Sequence, residues 1–478
     1  MKNKYITATI LAIATGGATV NAQETIPAPR LVVNIAIDQL RTDFLESFDH
    51  LYGTDGFRRI MRSGMLYKNV TYPFAPVDRA SAIAALNTAT TPRLNGITAE
   101  QWFDRASLRS VSCVDDAAYS GLLTTETASA QNVMTTTLSD ELKVATKGRA
   151  FVYSIAERKE AAVIPAGHCA DGAFWVNTRE NCWCTSTYYS KKTPKWLETY
   201  NLYNTPYKKN SSINEQITEL ALQCISANSL GKDDATDMLF ITYDAAPYID
   251  KDGYESCKDK YVEIDRDLGR LISRLQSSVG LDKVLFVVTG TGHYEELKTA
   301  DKKYRLPGGT VYINRTANLL NMYLGALYGS NKYVEGYQNN NIYLNSKLID
   351  SKRLDISEMT RQARIFVQQS QGIANAYTNE SLTLASSAEA EKLRNGHYLS
   401  RSGDIIIETA PGWDIVNEDT QQQYNNYSGC ILTPALFFGY NIKGEKVDKP
   451  VSAEAISPTI AKTIRIRAPN ACKSAPLF

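Results

Sequence analysis

Three polar residues stand at the ends of apolar runs, where a side chain can act while the run itself is buried. Asp38 follows Arg30 to Ile37 (RLVVNIAI), Asp244 follows Met238 to Tyr243, and the loop TGTGH, ending at His293, follows Val284 to Val288. Continuous apolar runs of this length suit strands covered on both faces of a parallel sheet. In such sheets, sites form where the chain leaves the carboxyl ends of the strands. Two carboxylates and an imidazole with a fourth position open would hold one zinc ion. The structural reading of the same residues is plainer: Asp38 caps a helix beginning at Gln39, and Asp244 stabilises a turn.

The elements that must position these residues alternate in type. Ala150 to Ile155 repeats the strand character, and between Met238 to Tyr243 and Val284 to Val288 lies a helix. Its apolar residues Ile264, Leu268, Leu271 and Leu275 are spaced four, three and four, a helical stripe. Strands alternating with amphipathic helices predict an α/β fold with a largely parallel central sheet flanked by helices. The texture changes over residues 301–395, which read as a smaller inserted αβ subdomain, with a helix from Ile356 to Gln369. The core, residues 23–300, is expected to resume over 396–478, first at Ile405-Ile406-Ile407 and again from Leu432 to Gly439.

Residues 1–22 read as a signal peptide: Lys2 and Lys4, an apolar stretch from Ile6 to Val20, and small residues to Ala22. No later stretch is long and apolar enough to span a bilayer. The expected location is therefore exported, in the periplasm or associated with an outer membrane. Lys2 and Lys4 leave with the signal, so 52 bases become 50 against 51 acids. That balance argues against a nucleic-acid partner. Eight cysteines follow the signal: Cys113, Cys169, Cys182, Cys184, Cys224, Cys257, Cys430 and Cys472. An even number in an exported chain predicts disulfides, with Cys182 and Cys184 in separate bridges, although spacing alone leaves the pairing open.

Several segments together resemble a known family. LVVNIAIDQLRTDFL, YGTDGFRRIMRSGMLYKNV, PRLNGITAEQWFD, VIPAGHCADGAFW, RSGDIIIETAPGW, LTPALFFG and ISPTIAKTIRIRAPNA are similar, in order, to the alkaline phosphatase superfamily. The nearest branch is the exported phosphatases with a single threonine nucleophile, related to nucleotide pyrophosphatase/phosphodiesterases. The resemblance implies two zinc ions that clamp the attacking and leaving oxygens of phosphoryl transfer. Carried over position by position, Asp38 keeps the first metal ligand, while the nucleophile falls on Arg79 in PVDRASAIAAL. The next aspartate-histidine pair falls on Asp244 and Tyr248, and the following one on Thr291 and Gly292, with His293 one residue along. The last histidine falls on Leu432, and a phosphate-contacting asparagine on Glu100. A basic pair is only partly supplied by Arg158, Lys159 and Glu160.

These substitutions point to a dismantled metal loop, because leucine and glycine carry no ligand and tyrosine replaces imidazole poorly. Two carboxylates without a metal repel each other, and a guanidinium neutralises them with paired hydrogen bonds. Arg79 is therefore expected to fold toward Asp38 or Asp244 rather than face solvent. Ser81 has no paired base and reads as a first-turn helix residue. His168 is expected to be packed or hydrogen-bonded, and His50 and His397 to lie at the surface.

The expected function is non-catalytic: an exported pseudophosphatase whose scaffold binds an envelope protein or a glycan, with no cofactor. Tyr-rich stretches such as YNNY (424–427) are contact candidates. The alternative is an active metal-dependent phosphomonoesterase or phosphodiesterase with a rewired zinc site built on Asp38, Asp244 and His293. A third possibility is a small-anion binder, which requires Arg79 to be partly free of the aspartates and Glu100 to face elsewhere.

Overall fold

The computed structural model describes residues 27–249, 255–293, 308–424 and 431–478. Residues 1–22, read above as a signal peptide, lie outside them. Five parallel strands form the centre of an eleven-stranded sheet: β1 (Leu31–Asp38), β2 (Val152–Ala156), β3 (Gly172–Asn177), β4 (Asp237–Asp244) and β5 (Val284–Gly290). Their spatial order is β5-β1-β4-β2-β3. Antiparallel strands extend it on both sides, among them Thr433–Gly439 beside β5 and Cys182–Ser186 beside β3.

Every residue of β1 is buried, which is why RLVVNIAI reads as unbroken apolar sequence. Alternate side chains serve opposite faces. Val32 joins one core, while Leu31, Val33, Ile35 and Ile37 join the other. Helices α1 (Arg79–Thr88) and α2 (Lys159–Ala166) cover the first face; α3 (Ile213–Ala227) and α4 (Cys257–Ser278) cover the second. The stripe at Ile264, Leu268, Leu271 and Leu275 is fully buried, as its spacing requires. No helix of the described residues is long and apolar enough to cross a membrane.

The smaller αβ unit carries its own core. It has a three-stranded sheet (Gly309–Tyr312, Trp413–Asn417, Gln422–Tyr424) and a four-stranded one (Val334–Gln338, Asn341–Leu344, Ile405–Thr409, Ile373–Thr378). The expected boundary at residue 396 is thereby corrected. Ile405–Thr409 pairs with Asn341–Leu344 and Ile373–Thr378, and the central sheet resumes only at Thr433. A short isoleucine run buried on both faces suits either sheet, so its composition did not reveal its partners. The unit packs on a hairpin of the core, Gln101–Asp104 with Arg109–Ser112: the Phe103 and Tyr343 rings lie 5.0 Å apart, and Arg105 bridges to Asp404 at 3.0 Å.

The disulfide expectation is also corrected. Cys113, Cys169, Cys182, Cys184, Cys224 and Cys472 are free thiols; Cys257 opens α4, and Cys430 lies outside the described residues. Cys113 and Cys184 are packed in the core on one face of the sheet and Cys224 in the core on the other. Cys182 and Cys184 share one strand, and their sulfurs approach different carbonyls, of Leu123 at 3.7 Å and Trp175 at 3.3 Å. Buried thiols of this kind behave as small apolar side chains.

Candidate functional site

Three central strands deliver their carboxyl ends to one place. Asp38 and Asp244 are register partners on the adjacent strands β1 and β4, and Thr291, Gly292 and His293 follow β5 on the other side of β1. Helix α1 begins directly opposite, and its start is fixed by a capping box. The Asp78 carboxylate accepts from Ser81 N at 2.8 Å, and the Ser81 hydroxyl accepts from Asp78 N at 3.0 Å. The other Asp78 oxygen accepts from the Glu100 N–H at 2.6 Å, which ties the segment before the hairpin to the same cap. Ala80, Ala82, Ala84 and Ala85 are fully buried, and the helix packs on α2. Ser81 thus has the first-turn role its context predicts.

The first residue of α1 is Arg79, only 5 % exposed. Its Nε donates to Asp38 Oδ2 at 2.7 Å and its Nη1 to Glu100 Oε1 at 3.1 Å. Nη1 also lies 3.7 Å from Glu160 Oε1. Thr291 donates its hydroxyl proton to Asp38 Oδ1 at 2.6 Å. Both oxygens of Asp38 are therefore occupied, one by a guanidinium and one by the residue that stands where the resemblance places an aspartate. The anticipated Arg79–Asp38 contact is present; the solvent-facing alternative is not.

The charges adjust accordingly. Burial alone would raise the Asp38 carboxyl, but the charges of Arg79 and His293 and the Thr291 hydrogen bond hold it below its ordinary range. Asp244 moves the other way, raised by burial and by the neighbouring charge of Asp38. Glu100 is pushed up to about 7 by burial and by Glu160, with Arg79 offsetting part of the rise. One buried guanidinium thus faces three carboxylates directly and feels a fourth, Asp244.

These residues do not fit the zinc pair that the fold implies. A metal at Asp38 would have to displace a buried, permanently charged guanidinium and compete for an oxygen already bonded to Thr291. Among the described residues no three histidine, cysteine, aspartate or glutamate side chains are gathered to hold a metal ion. Asp244 is turned to its own loop. Its Oδ1 accepts from Ala246 N at 2.8 Å, and its backbone is held by the Asn214 amide at 2.8 and 3.1 Å. Leu432 is 54 % exposed and contributes only its carbonyl, to Thr42 N. Gly292 takes a positive φ of 67°, and the Tyr248 side chain lies outside what is described. Between Arg79, Asp244 and Thr242 there remains a cavity of about 10 Å³, room for about one water.

Other expectations change. Asp38 does not cap a helix: the next helix is Thr42–Ser47, with Arg41 at its N-cap and Gln39 at a φ of 59°. The small-anion reading fails on both its requirements, because Arg79 is bonded to Asp38 and to Glu100. His397 is not a surface residue; burial lowers its imidazole to about 4, and its Nε2 is enclosed with no hydrogen-bond partner among the described residues. Tyr424 is 5 % exposed and so not a contact residue, and positions 425–427 lie outside the described residues. His168 is hydrogen-bonded as expected, with its backbone and Nδ1 both at Asp140 (2.7 and 2.8 Å), and His50 is exposed. Sequence reasoning missed Glu160 as a partner of Arg79 and Thr291 as a partner of Asp38. Only Asp78 and Ser81, spaced as a capping box, carried a readable signal.

Comparisons with known proteins agree with this architecture. The family model described as type I phosphodiesterase / nucleotide pyrophosphatase matches residues 32–430. The alkaline phosphatase PafA of Elizabethkingia meningoseptica is 26 % identical over 98 % of each chain. The alkaline phosphatase PhoV of Synechococcus elongatus is 25 % identical over 94 % of this chain and 92 % of its own. The crystal structure of wild-type PafA superposes with a TM-score of 0.84, at 23 % identity, over 95 % of this chain and 99 % of that one. The strand-end site, the sheet order and the length of the family match lead to one assignment: the chain belongs to the type I phosphodiesterase / nucleotide pyrophosphatase family, within the alkaline phosphatase superfamily.

Proposed function

We propose that this chain is an exported, catalytically silent member of its family that keeps the phosphatase fold as a binding scaffold in the cell envelope. The observation that carries this reading is the double occupation of Asp38, by Arg79 at 2.7 Å and by Thr291 at 2.6 Å. Arginine is protonated at all accessible pH values and offers no lone pair to attack phosphorus. A phosphate entering here would also meet Glu100 and Glu160 beside the guanidinium, and both repel it when ionised. The binding partner is an envelope protein or a glycan.

Likeness to named alkaline phosphatases along nearly the whole chain favours a second reading, a phosphoric ester hydrolase working through a rewired site. That reading requires Arg79 to leave Asp38 and a nucleophile or activated water to enter. Turnover of aryl phosphate monoesters and diesters by the chain from Gln23 onward, with added zinc, separates the two. The silent reading expects no rate above that of an Asp38→Ala variant. A rate abolished by that substitution establishes the hydrolase.

A further inference from the structure

Beside the Arg79 cluster, and sharing Glu160 with it, lies a groove of about 620 Å³, within the range of ligand sites. The hairpin that follows Glu100, the turn after β3 and the start of α2 form its walls. Most of its framework polar groups are engaged, although Glu160 Oε1 makes no hydrogen bond among the described residues and faces Arg79 at 3.7 Å. Lys159 donates to Asp115 at 2.6 Å, the Tyr207 hydroxyl to Glu157 at 2.6 Å, and the Trp175 indole to Glu126 at 3.2 Å. Arg158 and Arg179 differ: both are exposed, and neither guanidinium has a hydrogen bond or ion pair among the described residues. Between them the lining is rich in hydroxyl and amide groups, including Gln101, Ser110, Thr125 and Thr178.

We infer that this groove binds an acidic oligosaccharide, with Arg158 and Arg179 pairing to its carboxylates. A guanidinium matches a carboxylate with two parallel hydrogen bonds, and hydroxyl and amide walls exchange hydrogen bonds with sugar hydroxyls in both directions. Trp175 and Val176 are buried and Tyr207 is the one exposed ring of the lining, its hydroxyl held by Glu157, so the groove has no enclosed apolar pocket for the anchor on which peptide recognition relies. The inference deepens the glycan branch of the proposed scaffold role. It uses residues outside the Arg79–Asp38 pair, so the turnover assay and the binding test can fail separately.

The test is calorimetric titration of the chain from Gln23 onward with galacturonate, guluronate and glucuronate hexamers, each beside its methyl ester. The ester keeps the sugar backbone and removes the charge. Expected is saturable binding of at least one acid hexamer, weakened about tenfold or more in its ester and in an Arg158→Ala/Arg179→Ala variant of unchanged melting temperature. Three results overturn the inference: no saturable binding of any acid hexamer, equal affinity for acid and ester, or full affinity in the double variant.

Discussion

The Nε of Arg79 lies 2.7 Å from Oδ2 of Asp38, so a helix N-terminus is joined to the end of the central strand by a buried charge pair. The same guanidinium reaches Glu100 and Glu160, which makes it the shared counter-ion of three acids. Acids gathered at one buried site either take up protons or face a cation. In this chain the cation is covalently part of α1.

Removing Arg79 is therefore worse than removing any one of its partners. Arg79→Ala leaves buried carboxylates uncompensated and is expected to destabilise by about 3–5 kcal/mol. Asp38→Ala leaves the guanidinium two remaining acids and is expected to cost less. Urea denaturation of the two variants checks the order; equal or reversed costs would mean the shared counter-ion account is wrong.

The acids also set the pH response. Glu100 is raised from its ordinary 4.5 to about 7, so its stabilising contribution is complete below 4.5 and is lost as pH rises through 7. Its side chain is 35 % exposed, so solvent screens the effect and the size is modest. Glu100→Gln is expected to gain melting temperature relative to the parent as pH is raised across that window. Asp38 has the opposite sign: its carboxyl is lowered from 3.8, so the contribution of its pairing is present above 3.8 and is lost only as pH falls below it. Melting curves of parent and variant from acid to mildly alkaline pH test both signs.

The fold was largely legible because the central strands are buried on both faces and the helix Cys257–Ser278 between β4 and β5 carries a regular apolar stripe. Charge repulsion between Asp38 and Asp244 also anticipated Arg79. What stayed hidden depends on which chain segments meet: Thr291 reaches a residue 253 positions away, and Ile405–Thr409 belongs to a sheet its composition does not specify. His397, in a polar stretch, is half-buried in a recess shared with Ala75, Trp102 and Arg401, a meeting of distant segments that local sequence does not record.

Asp78 performs two tasks, capping α1 and holding the Glu100 N–H. Asp78→Ala is expected to cost about 1–2 kcal/mol for the cap, with more for the stranded N–H. Asp78→Asn keeps one of the two accepting oxygens, so it should recover the cap and only part of the total loss. Denaturant midpoints of the three proteins decide it; no difference between Ala and Asn would remove the capping role.

Thiol labelling tests the correction on cysteines. In unreduced native protein the exposed Cys169 is expected to alkylate first, while Cys113, Cys184 and Cys224 react only after unfolding, because burial raises their thiols and hides them. Disulfide-linked peptides containing any of these four would contradict the arrangement.

The most direct test of the central claim is zinc content. Elemental mass spectrometry on the chain from Gln23 onward, dialysed against zinc and then against buffer, is expected to find far less than one zinc per chain, with an Asp38→Ala variant indistinguishable from the parent. Near-stoichiometric zinc that disappears in Asp38→Ala would mean that Arg79 yields its place to a metal, and would contradict the account.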